Sequence, residues 1–453
     1  MFMEILVGLI ILSYFVLFFI ASLNYKRISS LKELAGSKNV LSTFALTSGL
    51  VMTHYGAGFI LGGTELGYLY GLGGIAYSFA AATGVILLGF FISRTTFQKT
   101  HRQKIKTIPG LLFKRYRDYR LSLFASLLSI VALITIVAAQ LFALLGVVEA
   151  LRLPSILILG VVAFGIGLTV FKGVEAVFNL SKLHLLVISI GTFIVLIFTF
   201  NAAPISSEIS AEFGIISPLA LLGIILPTIL YTLIGQDFHQ KIFSASSFKS
   251  VRIATIISAI VLILVGIIPV LIGLESRNLI SVTPSSVLPS LILTILPPIL
   301  QGVILAAIIA AVLGSTQALV SAAVSHVSED LLKKSSLSPI MRKRISFTSV
   351  FVFPFLALCI ALFSDKGIVE LLTIAYTLYT AGMFIPVLFC FYGDKINSLN
   401  KSIFVASLLG VISAVFFEIK IIYFPLPSIV PALIIAGLYL IVVTHKKSHG
   451  KDL

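Results

Sequence analysis

The sequence predicts an all-α integral membrane protein of 13 transmembrane helices: one N-terminal helix, two inverted five-helix repeats and two C-terminal helices. Three observations carry that prediction. Of 453 residues, 58% are hydrophobic and 11% charged, with a mean hydropathy of +1.14. A soluble chain carries about 25% charged residues, so a soluble enzyme is excluded. Apolar runs recur at the length needed to cross a hydrocarbon core about 30 Å thick, roughly 20 residues. The basic residues fall on alternate sides of those runs.

The first run, 3–23, is too long for the apolar part of an ordinary signal peptide. Glu4 is the nearby charge before it, and Lys26 and Arg27 follow it, so it reads as an uncleaved helix with its N-terminus outside. Further spans fall at 40–70, 72–92, 121–148, 154–171, 183–200, 216–234, 251–274, 298–327, 345–363, 368–391, 403–417 and 421–443. Residues 278–297 are apolar but rich in Pro and Ser, and read as an outer loop carrying short helices.

Charge tests the count. Alternating the loops from an outside N-terminus places 28 of the 32 Lys and Arg inside and leaves Arg152, Arg277, Lys366 and Lys420 outside. Only Arg252, at the inner end of 251–274, falls within the bounds of a span. That asymmetry is the positive-inside rule, and it places the C-terminus in the cytoplasm of a cell (plasma) membrane protein. The net charge of +15 is therefore a record of topology and not a nucleic-acid footprint. Cys359 and Cys390 lie in apolar runs and imply no disulfide framework. Apart from Glu4 at the outer end of the first run, Glu65 and Glu370 are the acids within spans, at their outer ends. Each reads either as an interfacial carboxylate or as an outer-gate, proton-titratable one.

Two spans are irregular. The second contains Thr53-His54-Tyr55-Gly56-Ala57-Gly58 and then Gly62-Gly63. Such a run either breaks a helix where it lines a cavity or packs helices closely through small residues. The seventh carries Pro227 and Tyr231-Thr232-Leu233-Ile234-Gly235-Gln236, then continues as Asp237-Phe238-His239-Gln240-Lys241. Asp237 and His239 read either as loop residues on the cytoplasmic side or as groups at a second break. Five helices over 40–200 and five over 216–391 are of nearly equal length, and an odd number inverts the second block. Matching irregular helices at the head of each inverted half point to a transporter with its site at the midplane. The remaining segments are 1–39, an extra helix and inner loop, and 403–453, two helices and a basic tail.

Several stretches in this order resemble the sodium:solute symporter family. Gly58-Phe59-Ile60-Leu61-Gly62, with Tyr68 and Gly71 following, matches the family's first core helix. Thr107-Ile108-Pro109-Gly110-Leu111-Leu112-Phe113-Lys114-Arg115-Tyr116 resembles its inner-loop pattern, with Gly110 in place of the usual acid. Ala139-Gln140-Leu141, Gln240-Lys241 with Phe243-Ser244-Ala245, and Ala310-Ala311-Val312-Leu313-Gly314-Ser315 running to Glu329-Asp330 are similar to three further signatures. The resemblance implies a leucine-transporter-type fold and ion-coupled symport. It places a Na⁺ site between the broken first core helix and the eighth, with Met52 and Tyr55 supplying carbonyls and Ala311, Gly314 and Ser315 as partners. The family has hydroxyls at both of the last two positions, so Gly314 removes a ligand that Thr316 could replace. Ser315 and Thr316 read equally as hydroxyls bonded back to their own helix.

The solute site is expected among His54, Tyr55, Phe59, Gln140, Tyr231, Gln236, Tyr376 and Tyr379. With no Lys or Arg in the membrane, a small neutral, zwitterionic or monocarboxylate solute fits better than a poly-anion. Na⁺ is the expected coupling ion, and H⁺ the alternative, with His54 the titratable group at the break. A non-coupled channel or sensor on the same fold is the other alternative. An enzyme is not expected, because the spans lack paired acids. The implied partners are a small-molecule solute and the lipid bilayer, not nucleic acid, and the basic tail reads as an orientation signal and not as a site for a protein partner.

Overall fold

The computed structural model describes residues 2–23, 41–103, 105–152, 154–172, 174–202, 216–333, 335–392, 400–422 and 424–449, and helix is the regular structure among them. The basic loop expected at 24–39 lies outside the described residues. Helix α1 spans Phe2–Leu23 and packs on a later helix across Gly302. Helix α2, Thr43–His54, starts at Ser42, whose hydroxyl accepts from Ala45 N at 3.3 Å. It stops at Tyr55 and Gly56, both outside helical geometry, and the chain resumes as α3, Ala57–Tyr70. The expected break is therefore present.

Gly71, at φ +58°, turns the chain through a short 3₁₀ segment into α4, Ile75–Leu87, which passes through a π turn into α5, Ser93–Gln103. Helix α6, Ile108–Tyr116, starts at Thr107 with Pro109 in its first turn. Helices α7 (Tyr119–Ala150), α8 (Ser155–Val170) and α9 (Val174–Ala202) follow. Helix α10, Pro218–Ile234, ends at Gly235, whose ψ of 133° is extended, and α11 continues as Gln236–Ser244. Then come α12 (Phe248–Ser276), α13 (Val287–Ile295), α14 (Pro298–His326), α15 (Pro339–Leu362), α16 (Ile368–Tyr392), α17 (Asn400–Glu418) and α18 (Ile429–His449). The loop with short helices expected at 278–297 is α13 and the 3₁₀ turn before it.

Among the described residues, nine helical segments are long and apolar enough to cross a membrane. The longest, Ala57–Gln98, covers 42 residues and turns at Gly71, so it holds parts of two predicted spans. Three apolar helices among the described residues, Ile158–Val170, Pro284–Ile295 and Ile429–His445, are shorter. Helix α14 is the axis of the molecule: every residue from Ile304 to His326 is buried. It touches α9, α7, α8 and α1. The pairings α3–α12, α2–α9, α9–α14 and α7–α15 are matched by α10–α4, α10–α16, α16–α7 and α14–α8.

Three expectations need correction. The seventh span does not end at 234; it reaches Ser244 as one apolar segment broken at Gly235. Asp237, His239 and Lys241 are accordingly buried at 1%, 0% and 1% exposure, not loop residues, and Lys241 is a basic residue within a span. Hydropathy measures partition from water, whereas α11 is enclosed by other helices, and Gln236 and His239 find hydrogen-bond partners there. Glu65 is likewise buried, close to Gly367 and facing the main-chain N–H of Ile368 at the start of α16, which excludes placement in the headgroups. Glu370 is exposed and pairs with Lys366 at 3.0 Å, a contact that holds the Lys366 ammonium above its ordinary range.

Candidate functional site

The two breaks meet in the buried centre. At the first, Tyr55 N donates to Val51 O at 2.7 Å, but Gly56 N turns to His54 O at 2.8 Å and Ala57 N to Gln140 Oε1 at 2.6 Å. A continued helix would have sent those two N–H groups to Met52 and Thr53. Both carbonyls thus lose their helical donors. Gln140, on α7, also accepts from Ser315 Oγ of α14 at 3.2 Å, so one amide oxygen ties three helices at the break. The approach needs a residue without a side chain: a Cβ on Gly56 would lie 2.6 Å from Gln140 Oε1.

At the second break, side chains satisfy the freed carbonyls. His239 Nε2 lies 2.8 Å from Leu233 O, and Tyr379 O–H donates to Ile234 O at 3.3 Å. Tyr231 stacks on Tyr376 with centroids 4.4 Å apart and meets Tyr379 edge-on at 5.7 Å. Its hydroxyl donates to Asp237 Oδ1 at 3.0 Å.

His54 joins the two broken helices. Its Nε2 lies 3.1 Å from Thr232 Oγ1, and its ring sits 4.9 Å from Phe238 and 5.9 Å from Phe59. His54, Phe59, Tyr231, Tyr376 and Tyr379 therefore form one cluster, none more than 4% exposed. The other three expected lining residues are committed elsewhere. The Tyr55 hydroxyl meets Thr192 Oγ1 of α9 at 3.0 Å, and Gln140 caps the break. Gln236 accepts from Ile108 N at 2.8 Å and donates to Lys106 O at 3.1 Å, which makes it a latch to the loop before α6.

That loop is held by a chain of side-chain hydrogen bonds. Thr107 Oγ1 donates to Asp330 Oδ1 at 2.6 Å, His326 Nδ1 lies 2.9 Å from Asp330 Oδ2, and His326 Nε2 lies 2.8 Å from Ser129 Oγ. A Cβ at Gly110 would lie 2.8 Å from Thr107 Oγ1 and 3.5 Å from Asp330 Oδ1, so the Asp330 carboxylate lies close to position 110. A parallel bridge, Leu41 to Ala245, ties the chain before α2 to the end of α11.

The residues expected to form an ion site lie where α2 faces α14. Ser315 Oγ is within 3.1 Å of Ala311 O and 3.2 Å of Val312 O, and Thr316 Oγ1 donates to Val312 O at 2.5 Å. Thr316 is thus bonded along its own helix. What stands beside Gly314 is His184 of α9: a Cβ at 314 would meet His184 Nδ1 at 2.5 Å and Met52 Cε at 3.0 Å. His184 is 1% exposed. Its place near the start of an apolar run was a signal in the sequence, but nothing local tied it to Gly314. Asp237 and Phe238 were visible only as polar and aromatic residues following a glycine. Among the described residues no group of three or more His, Cys, Asp and Glu could hold a metal ion.

Two helices broken in the buried centre of a multi-pass bundle, each break edged by polar and aromatic side chains, define a membrane transporter. The chain belongs to the sodium:solute symporter family, whose model matches residues 34–410. Its fold is similar to that of a Na⁺-coupled sialic acid symporter in a substrate-bound outward-open state, with a TM-score of 0.78 at 17% identity over 96% of each chain. It is also similar to a nucleobase-cation-symport-1 family transporter in a closed conformation with bromovinylhydantoin bound, with a TM-score of 0.61 at 13% identity, covering 93% of this chain and 97% of that one. Both have the leucine-transporter-type architecture expected from the sequence. A comparison with curated proteins finds no match.

Proposed function

We propose that the protein is a secondary active symporter that carries one small organic solute together with Na⁺ by alternating access. The observation that carries this reading is the first break: carbonyls released at Met52 and Thr53 lie on the helix that faces Ser315 of α14, beside the aromatic cluster of the second break. Na⁺ is a hard cation and takes oxygen donors. The proposed set is the carbonyls of Met52, Tyr55 and Ala311 with the Ser315 hydroxyl, and the His184 ring takes the room of the hydroxyl absent at Gly314. Gln140 couples ion and solute, since it holds both Ser315 and the first N–H of α3.

The matched helix pairings support two repeats, 40–200 and 216–391, related by a shift of five helices. Together with α1, α17 and α18 they support the 13-span layout, with the N-terminus outside as the basic residues require. The buried centre is then an occluded state. Rocking of one group of helices against the other opens it to either side, driven by the difference in ion and solute affinity between the two states.

The test is uptake into proteoliposomes over a solute panel, with an imposed Na⁺ gradient or an imposed pH gradient. Na⁺-driven accumulation that is lost in Ser315→Ala is expected. Accumulation driven by the pH gradient alone would overturn the sodium reading.

A further inference from the structure

The first residues of α11 hold a carboxylate that the ion site does not use. Asp237 is 1% exposed, and its Oδ1 takes the Tyr231 hydroxyl at 3.0 Å. Its Oδ2 is buried and has no hydrogen-bond partner among the described residues. The basic group nearest along the helix, Lys241, donates to the main-chain oxygen of Asp237 at 2.9 Å and leans over the Phe238 ring at 5.9 Å from its centroid. The carboxylate stands at the hub of the aromatic cluster, because Tyr231, which holds it, also stacks on Tyr376 and meets Tyr379.

We infer that the solute bears an ammonium group, and that Asp237 Oδ2 is its anchor. This rests on the transporter reading and narrows its solute to amines and zwitterions. A buried carboxylate costs several kcal/mol unless its lone pairs are met, and a neutral hydroxyl meets them less well than a cation. The main-chain N–H groups of Asp237 and Phe238 at the N-terminus of α11 and the Lys241 ammonium one turn on stabilise the negative charge, yet Oδ2 itself is left without a hydrogen bond. A monocarboxylate would meet a like charge in the same place. The carboxylate of a zwitterion would be turned away from Asp237.

The experiment uses the purified full-length chain, first in thermal-shift and binding assays and then in proteoliposome uptake. The probes are proline, glycine betaine, ethanolamine, lactate and glucose. Stabilisation and uptake are expected for one or more of the three ammonium-bearing probes and not for lactate or glucose. Asp237→Asn is expected to weaken the best of them at least about tenfold, the loss of a charged hydrogen bond for proline or ethanolamine and of the Coulombic contact for glycine betaine, and Asp237→Glu to recover part of that. Size-exclusion profile and circular dichroism check that each variant is folded, and the panel on the unaltered chain decides the question even where a variant is not. Binding of lactate or glucose in preference to the ammonium probes, binding of none of the three, or full affinity in a folded Asp237→Asn would each overturn the inference. Gradient-driven uptake of lactate or glucose would overturn it and leave the transporter reading standing. Gradient-driven uptake of no compound, with ammonium probes still bound, would overturn the transporter reading instead.

Discussion

At Gly56 the absence of a side chain decides how three helices meet. An added methyl would lie 2.6 Å from Gln140 Oε1 and would crowd Ser315 as well. Gly56→Ala is expected to cost about 1–3 kcal/mol in stability and to abolish uptake, which thermal unfolding and transport assays would show together. Gly314 presents the converse case, in which a neighbour has grown into the vacant space. Gly314→Ser alone should be destabilised by about 1–3 kcal/mol, because its Cβ would meet His184 Nδ1 at 2.5 Å. Adding His184→Ala should relieve the clash and restore a second hydroxyl to the ion site. A larger Na⁺-induced rise in melting temperature than in the unaltered chain is the expected reading, and an equal or smaller rise would refute that geometry. The missing hydroxyl at 314 was legible in the sequence, since it departs from a family pattern. Its replacement was not, because His184 arrives from another helix and no local spacing links the two.

Among the elements, the breaks were legible and the half-helix beyond the second was not. Gly56 and Gly235 announced loss of helical geometry, and both helices stop there. Helix α11 reads as polar by composition, yet all nine of its residues are buried. Several of its polar groups are met within the bundle: His239 Nε2 by Leu233 O, Lys241 by Asp237 O, and Gln236 by the loop at Lys106 and Ile108, whereas Asp237 Oδ2 is not. Gln236 was expected to line the solute site for its position alone; the sequence carries no sign that its amide faces the loop. The chain of hydrogen bonds at Thr107, Asp330 and His326 has a direct test. Asp330→Asn weakens both of its hydrogen bonds by about 1–2 kcal/mol each. The expected result is an equilibrium shifted toward opening at that end, read as faster labelling of a cysteine introduced at Tyr376 by a reagent supplied from the cytoplasmic side. An unchanged labelling rate would show that these bonds do not hold that end closed.

For the molecule as a whole, composition and charge order made the class of fold readable, because a bilayer imposes a length on every span and a sign on every loop. The pairing of helices five apart was readable only as an equality of segment lengths, since packing partners leave no mark in a one-dimensional pattern. Much of the interior is held by side chains that a substitution could remove. The clasp between the chain before α2 and the end of α11 is different: Leu41 N donates to Ser244 O at 3.0 Å and Ser246 N to Leu41 O at 3.2 Å. Both bonds belong to the main chain, which every residue except proline supplies in the same form. Relatives could therefore exchange every side chain in this clasp and keep the joint. Comparison of sequences would rank these positions as freely drifting, although they fasten the two broken helices to each other at one end of the bundle.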